Sequence, residues 1–250
     1  MLRVLHLTDP HLFADPGGSF RDTVTYESLS SVLTHYRRSD WLADLVVVTG
    51  DLIQDGSTGA YEQFRQLLGD LEIPVHCLPG NHDVRSKMRE ALSAPPFFYC
   101  DSVEHNNWLI AAIDSCVTGQ AGGLVSAQEL ARLDGMIADS AASHIMICLH
   151  HPPVAVGSKW LDLVGLENSD EFLNRISATG VVRLVVFGHV HQPYDDVHGD
   201  IRIIGTPSTC RQFAQRSDEF AVDDKPPAYR RIGLHADGHY DCELVWVDHD

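Results

Sequence analysis

Five short polar clusters each follow a hydrophobic run in this chain: Asp9-Pro10-His11, Gly50-Asp51, Gly80-Asn81-His82-Asp83, His150-His151 and Gly188-His189-Val190-His191. They bring carboxylate and amide oxygens and imidazole nitrogens without thiolate, a donor mixture that favours Mn, Fe, Zn, Co or Ni over Mg or Ca. Asp9 and His11 alternate around Pro10, so on an extended segment both side chains point to one side and can grip one ion. His189 and His191 repeat that spacing late in the chain. Asp51 has two carboxylate oxygens and can bridge two ions, while Asn81 offers a neutral amide oxygen and His150 an imidazole. Two ions roughly 3.5 to 4 Å apart would hold a bridging hydroxide and clamp a phosphoryl group for in-line attack.

Such donors need buried strands to deliver them. Short β-rich runs are expected at Leu2 to Thr8, Leu45 to Thr49, Pro74 to Leu78, Trp108 to Ile113, His144 to Leu149 and Val182 to Phe187, each bounded by Gly, Pro, Asp or His. Helical spacing of apolar residues predicts helices over Thr25 to Tyr36 and Ala60 to Leu71. Ser126-Ala127-Gln128-Glu129 reads as a capping box that opens a helix running to about Ala141. A further helix, Asn168 to Ala178, stops before Gly180, which can adopt the left-handed C-cap conformation. This alternation predicts parallel β-α-β units. From Asp200 onward, Ile201 to Ile204, Tyr229 to His235 and Tyr240 to Val247 are separated by turn signals such as Ala236-Asp237-Gly238-His239. They predict antiparallel pairing that finishes a second sheet. All five clusters follow strands at the carboxyl end, where open α/β sheets collect ligands.

The whole-chain numbers limit the function classes. At 250 residues, with no composition shift or Gly/Ser-rich linker, the expectation is one domain over 1–250. Lys and Arg number 18 against 35 Asp and Glu, a net charge of −17 with no basic run, which argues against a nucleic-acid or anionic-membrane partner. The six cysteines form no CxxC pair and are expected to be reduced thiols. Met1 to Leu7 is too short for a signal-peptide core, and no apolar run approaches the ~20 residues that span a bilayer. A soluble, cytoplasmic protein is expected, either monomer or homodimer.

In this order, DxH, GD, GNHD, a later His before Pro and GHxH resemble the signature blocks of the calcineurin-like metallophosphoesterases. The resemblance implies a four-layer αββα sandwich, two mixed β-sheets flanked by helices. Longer segments are similar to the bacterial class III cyclic-AMP phosphodiesterases: Thr25-Tyr26-Glu27-Ser28, Thr49 to Asp55, Leu78 to Asp83, Leu149-His150-His151-Pro152 and Thr206-Pro207-Ser208-Thr209-Cys210. Carried over by motif position, Asp9, His11 and His191 would hold one metal and Asn81, His150 and His189 the other, with Asp51 shared. Fe and Mn are the metals this implies first. Asn81, His82 and His11 would face the substrate, His82 as acid or electrostatic stabiliser, with Asp83 beside it orienting the imidazole; His151 would stand behind the metal. His6 and His76 lie inside strands as core or interface residues, and His35, His105, His198, His235, His239 and His249 are expected on the surface or satisfied in the core.

Two divalent ions outweigh Asp9, Asp51 and a bridging hydroxide, so the site stays positive despite the acidic chain. The reaction implied is hydrolysis of 3′,5′-cyclic AMP to 5′-AMP. The alternatives are another nucleotide or glycerol-type phosphodiester as substrate, or an interaction protein that keeps the fold without catalysis. Substrate choice would lie in loops around Phe13 to Tyr26, Val154 to Asn168 and Thr206 to Phe213, where Trp160 and Leu161 could wall the pocket.

Overall fold

The computed structural model describes residues 1–248, which leaves His249 outside the described residues. The first half of the chain runs β1 (Leu2–Leu7), β2 (Ser19–Phe20), β3 (Thr23–Val24), α1 (Thr25–Arg37), β4 (Leu45–Thr49), α2 (Thr58–Gly69), β5 (Val75–Leu78), α3 (Arg85–Ala91), β6 (Phe97–Tyr99), β7 (Ser102–His105) and β8 (Trp108–Ala112). The second half continues with α4 (Ala127–Asp139), β9 (His144–Cys148), α5 (Lys159–Asp162), α6 (Ser169–Ala178), β10 (Val182–Phe187), β11 (Tyr194–His198), β12 (Ile201–Gly205), β13 (Gln212–Phe213), β14 (Val222–Asp223), β15 (Ala228–Leu234) and β16 (Tyr240–Trp246). Two six-stranded sheets form, in the orders β16-β15-β1-β4-β5-β6 and β11-β12-β10-β9-β8-β7. Strands β1, β4, β5 and β6 are parallel neighbours, as are β8, β9, β10 and β12.

Period-two alternation in the strands separates three apolar layers. Leu5 and Leu7, with Val46 and Val48, pack on Leu29, Val32, Tyr61 and Phe64 of α1 and α2. Ile145 and Ile147, with Val185 and Phe187, pack on Leu130, Leu133, Phe172 and Ile176 of α4 and α6. The intervening residues Val4, Val47, Met146, Cys148, Leu184 and Val186 meet between the sheets. The order of layers is therefore helix, sheet, sheet, helix, the four-layer αββα sandwich. Both faces of each sheet are covered, which is why these strands are continuous hydrophobic runs.

Two expectations need correction. The tail does not finish the second sheet: β15 pairs antiparallel with β1 and β16 with β15, closing the edge of the first sheet. Only β12 joins the second, parallel to β10 and antiparallel to β11. Ile232 and Leu234 insert between the sheets beside Leu2 and Val4, and that burial selects the β1 edge. The capping box is half formed. Ser126 accepts from the Glu129 amide at 3.2 Å, but the Glu129 carboxylate turns to the Asp114 amide and to Arg132. No helix of the described residues is long and apolar enough to cross a membrane, and the six cysteines are free thiols.

Candidate metal centre

Parallel strand order brings the clusters together. Asp9-Pro10-His11, Gly50-Asp51 and Gly80 to Asp83 leave the carboxyl ends of adjacent β1, β4 and β5; His150 and Gly188 to His191 leave adjacent β9 and β10. Backbone bonds continue past the strands, from Asp9 N to Gly50 O at 3.1 Å, His11 N to Asp51 O at 3.0 Å and Gly188 N to His150 O at 3.1 Å. The backbone there is not the extended segment expected. Asp9, His11, Asp51, His189 and His191 have φ of 52°, 48°, 51°, 69° and 49°, all in the left-handed region that non-glycine residues avoid. Such conformations cost on the order of 1–3 kcal/mol each and persist where surrounding contacts impose them, which is common at functional sites.

Close approach is enforced by glycine. Gly50 has φ +91°, and a Cβ there would meet His150 Nδ1 at 2.5 Å and Gly80 N at 2.7 Å; a Cβ on Gly188 would overlap Thr8 Oγ1 and Asp9 Oδ2.

The donors form two groups around Asp51. On one side, His11 Nε2 lies 3.0 Å from His191 Nε2, and His191 Nε2 lies 3.5 Å from Asp9 Oδ1. On the other, His150 Nε2 lies 3.1 Å from Asn81 Oδ1 and 3.2 Å from His189 Nδ1. Asp51 Oδ2 faces His11 Nε2 at 3.7 Å and Asp51 Oδ1 faces His150 Nε2 at 3.5 Å. Asp9-His11-His191 and Asp9-Asp51-His150 each have ligand atoms within 4.8 Å of one another.

Second contacts fix which ring nitrogen faces inward. His150 Nδ1 donates to Thr49 O at 2.8 Å and His191 Nδ1 to Arg211 O at 2.6 Å, so in the neutral rings Nε2 presents its lone pair. His11 Nδ1 bonds Gln54 Oε1 at 2.8 Å. Asp9 Oδ2 accepts from Thr8 Oγ1 at 2.6 Å and from the His189 amide at 3.0 Å, leaving Oδ1 toward His191. Sequence reasoning missed these supports, because a backbone carbonyl carries no residue signature. His151 is close enough to His150 and His189 to complete a third donor group. Its two ring nitrogens are engaged, however, with Ser115 Oγ at 2.8 Å and Ala121 O at 3.1 Å, which leaves it behind the centre.

The electrostatics call for cations. Asp9 and Asp51 are 0% and 3% exposed, and no Lys or Arg pairs with either among the described residues. Burial pushes His11 down to about 3 and His189 well below the usual range, so neither is a counter-charge near neutrality. Burial also opposes charge on His150, but Asp51 overrides it and raises this imidazole to about 9. Two buried carboxylates and inward-facing lone pairs are costly unless positive charge lies among them, and metal ions take the place of the protons. His189 Nε2 is buried without a partner among the described residues. The residues fit a pair of metal ions.

Asp83 does not take the position expected of it. Its carboxylate accepts from the Gly80 amide at 2.9 Å, the Leu52 amide at 3.1 Å and Tyr61 OH at 3.0 Å. Those bonds tie the Asn81-His82 loop to β4 and α2 and engage both oxygens of Asp83, which makes no hydrogen bond to the His82 ring among the described residues. Burial and the nearby Asp51 charge push Asp83 up to about 7. The His82 amide donates to Asp51 Oδ1 at 2.9 Å, while its half-exposed ring points into a cavity of about 300 Å³. His11, Asp51, Asn81, His189 and His191 share that cavity with Phe20, Trp160, Leu161, Val164 and Phe213. The three expected loops all contribute. Gln54, Ala121, Arg21 and Phe220 also line it, and Phe220 lies outside any segment marked by the sequence.

A 3′,5′-cyclic adenosine monophosphate phosphodiesterase of Vibrio vulnificus is 37% identical over 97% of this chain and 89% of its own length. A 3′,5′-cyclic-nucleotide phosphodiesterase of Nostoc sp. is 33% identical over 98% of this chain and 92% of its own. Among solved structures, a dimetal phosphatase from Danio rerio superposes with a TM-score of 0.69 at 14% identity, covering 99% of each chain, a likeness of fold. The sequence model of the family described as Calcineurin-like phosphoesterase matches residues 2–193, a span containing all five clusters. With donors, fold and full-length relatives in agreement, the chain belongs to the calcineurin-like phosphoesterases.

Proposed function

We propose that the chain hydrolyses 3′,5′-cyclic AMP to 5′-AMP at a centre of two transition-metal ions. Asp9, His11 and His191 are assigned to one ion, Asn81, His150 and His189 to the other, and Asp51 to both. Fe and Mn suit this oxygen and nitrogen set first, with Zn, Co and Ni behind. The observation that carries the reading is Asp51, whose two oxygens face separate donor groups at 3.7 and 3.5 Å. The full-length relatives named for cyclic AMP and cyclic nucleotides support the substrate.

Bound there, two such ions supply Lewis-acid polarisation of the phosphoryl oxygens and a nucleophile from water at neutral pH. The chain supplies position and a proton. Asn81 turns Oδ1 toward His150, which leaves its amide N–H groups for a phosphoryl oxygen. A water that has given up a proton to solvent bonds to phosphorus through its oxygen, the P–O3′ bond breaks, and the departing O3′ takes a proton, so the two proton transfers cancel. His82 lines the cavity and is the donor assigned to that step. The test is a product assay on metal-reconstituted protein across cyclic AMP, cyclic GMP, 2′,3′-cyclic nucleotides and a nucleotide diphosphate, with metal content measured on the same sample. Release of 5′-AMP with two metals bound is expected. Turnover of a generic aryl phosphodiester with cyclic AMP untouched at millimolar concentration would overturn the substrate.

A further inference from the structure

The cavity beside the metal-ligand groups has a wall that phosphoryl chemistry does not require. Phe213 stacks on His191 with centroids 4.2 Å apart and rings 8° from parallel, and Phe20 stacks on His11 at 4.5 Å and 11°. From Phe213 the wall turns outward: Phe213 to Phe220 is 5.3 Å, Phe220 to Trp160 5.2 Å and Trp160 to Phe213 5.3 Å, all edge-on. Phe220 is 42% exposed at the outer end of this wall, where a ligand in the cavity can reach it.

Arg21 spans the opening, its guanidinium 4.5 Å from the Phe220 centroid and 5.6 Å from that of Phe20. It has no carboxylate partner among the described residues. The β2–β3 hairpin turns on Arg21 and Asp22, with φ of 49° and 65°, so an unfavourable turn holds a cation over an aromatic wall. Trp160 Nε1 is buried without a hydrogen-bond partner among the described residues. Lys159 pairs with Asp218, which ties α5 to the segment between β13 and β14 that carries Phe220.

Stacked aromatics, a planar guanidinium and a free ring N–H are how proteins hold a nucleobase by its face. Resting on the phosphodiesterase reading above, we propose that Phe20, Trp160, Phe213 and Phe220, closed over by Arg21, form the seat of the substrate's nucleobase. The wall's side chains offer ring faces and two donors, the Trp160 N–H and the Arg21 guanidinium, and no acceptor, so the seat grips the base chiefly by its faces. It holds purines more tightly than pyrimidines.

The test compares wild type, Arg21→Ala and Phe220→Ala, metal-loaded, on cyclic AMP and on base-free ribose 3′,5′-cyclic phosphate. Both changes are at exposed positions and leave the cores intact. Each is expected to raise KM for cyclic AMP about tenfold, the usual loss for one stacking partner, and to leave kcat within about twofold, as for binding shared by ground and transition states. Turnover of the base-free substrate should not change. Quenching of tryptophan fluorescence by 5′-AMP, absent in Trp160→Phe, should weaken by the same factor in Phe220→Ala. Equal losses on both substrates, or unchanged KM and 5′-AMP affinity in both variants, would overturn the seat. Wild-type protein that cleaves an aryl phosphodiester but not cyclic AMP would instead overturn the substrate reading and the seat with it.

Discussion

His82 and Gln54 separate two kinds of residue around the donors. His82 presents a half-exposed ring to the cavity, its Nε2 4.0 Å from Asp51 Oδ2, and makes its close contact to Asp51 through its backbone amide. His82→Ala should retain both metals while kcat falls by about 10² to 10⁴, the worth of a positioned acid; an emptied site in elemental analysis would make His82 a ligand instead. Asp51→Ala, by contrast, should cost both ions, and Asn81→Ala mainly the second. Gln54 touches no phosphate in this scheme but fixes the His11 ring through Nδ1. Gln54→Ala should weaken metal affinity about 10- to 100-fold, measured by competition with a chelator. The five polar clusters that meet here stand out in the sequence as breaks after hydrophobic runs, and their allotment to two ions comes from the resemblance of their order to a family's signature blocks. Their supports do not stand out: Thr49 O and Arg211 O act through the main chain.

At the scale of elements, the loops after the strands do more than the strands themselves. β1, β4, β5, β8, β9 and β10 fall within a residue or so of the hydrophobic runs that predict them, since burial on both faces leaves continuous apolar segments. The left-handed turns at Asp9, His11, Asp51, His189 and His191 had no such signal, because only Gly advertises positive φ. Two-residue strands were equally silent. β2–β3 and β13–β14 are too short for period-two patterning, so the sequence marks Arg21 only as part of a pocket loop and Phe220 not at all. Gly50→Ala puts a Cβ against His150 and the Gly80 amide at φ +91°. It should lower stability by roughly 1–3 kcal/mol and also reduce metal content. Ser126→Ala removes only the α4 cap and should cost about 1 kcal/mol with metal content intact. Chemical denaturation paired with elemental analysis separates the two; equal metal loss in both variants would show that the turn geometry has no special role.

Across the whole molecule, the two sheets are joined by a polar link beneath the metal centre. His6 on β1 is fully buried and bonds Thr49 Oγ1 of the first sheet at 2.9 Å and Thr206 Oγ1, just past β12 of the second, at 2.8 Å. Burial, with the neighbouring Arg230 cation, lowers His6 from the ordinary 6.5 to about 3. Arg230 spends its own charge on the Gly205 carbonyl at 3.0 Å, so it cannot relieve the repulsion by moving away cheaply. Between those two pH values the unfolded chain carries a proton on His6 that the folded chain lacks. Stability from this residue is therefore complete above pH 6.5 and lost progressively as pH falls toward 3. His6→Gln keeps an amide in the link and removes the titration. The stability advantage of wild type over His6→Gln should shrink by on the order of 2 kcal/mol between about pH 7.5 and about pH 5. Taking the difference between the two proteins at each pH largely removes the carboxylates and imidazoles of the metal centre, which both chains share. Urea midpoints that run parallel across this range would mean that His6 is protonated, or already neutral, in both states.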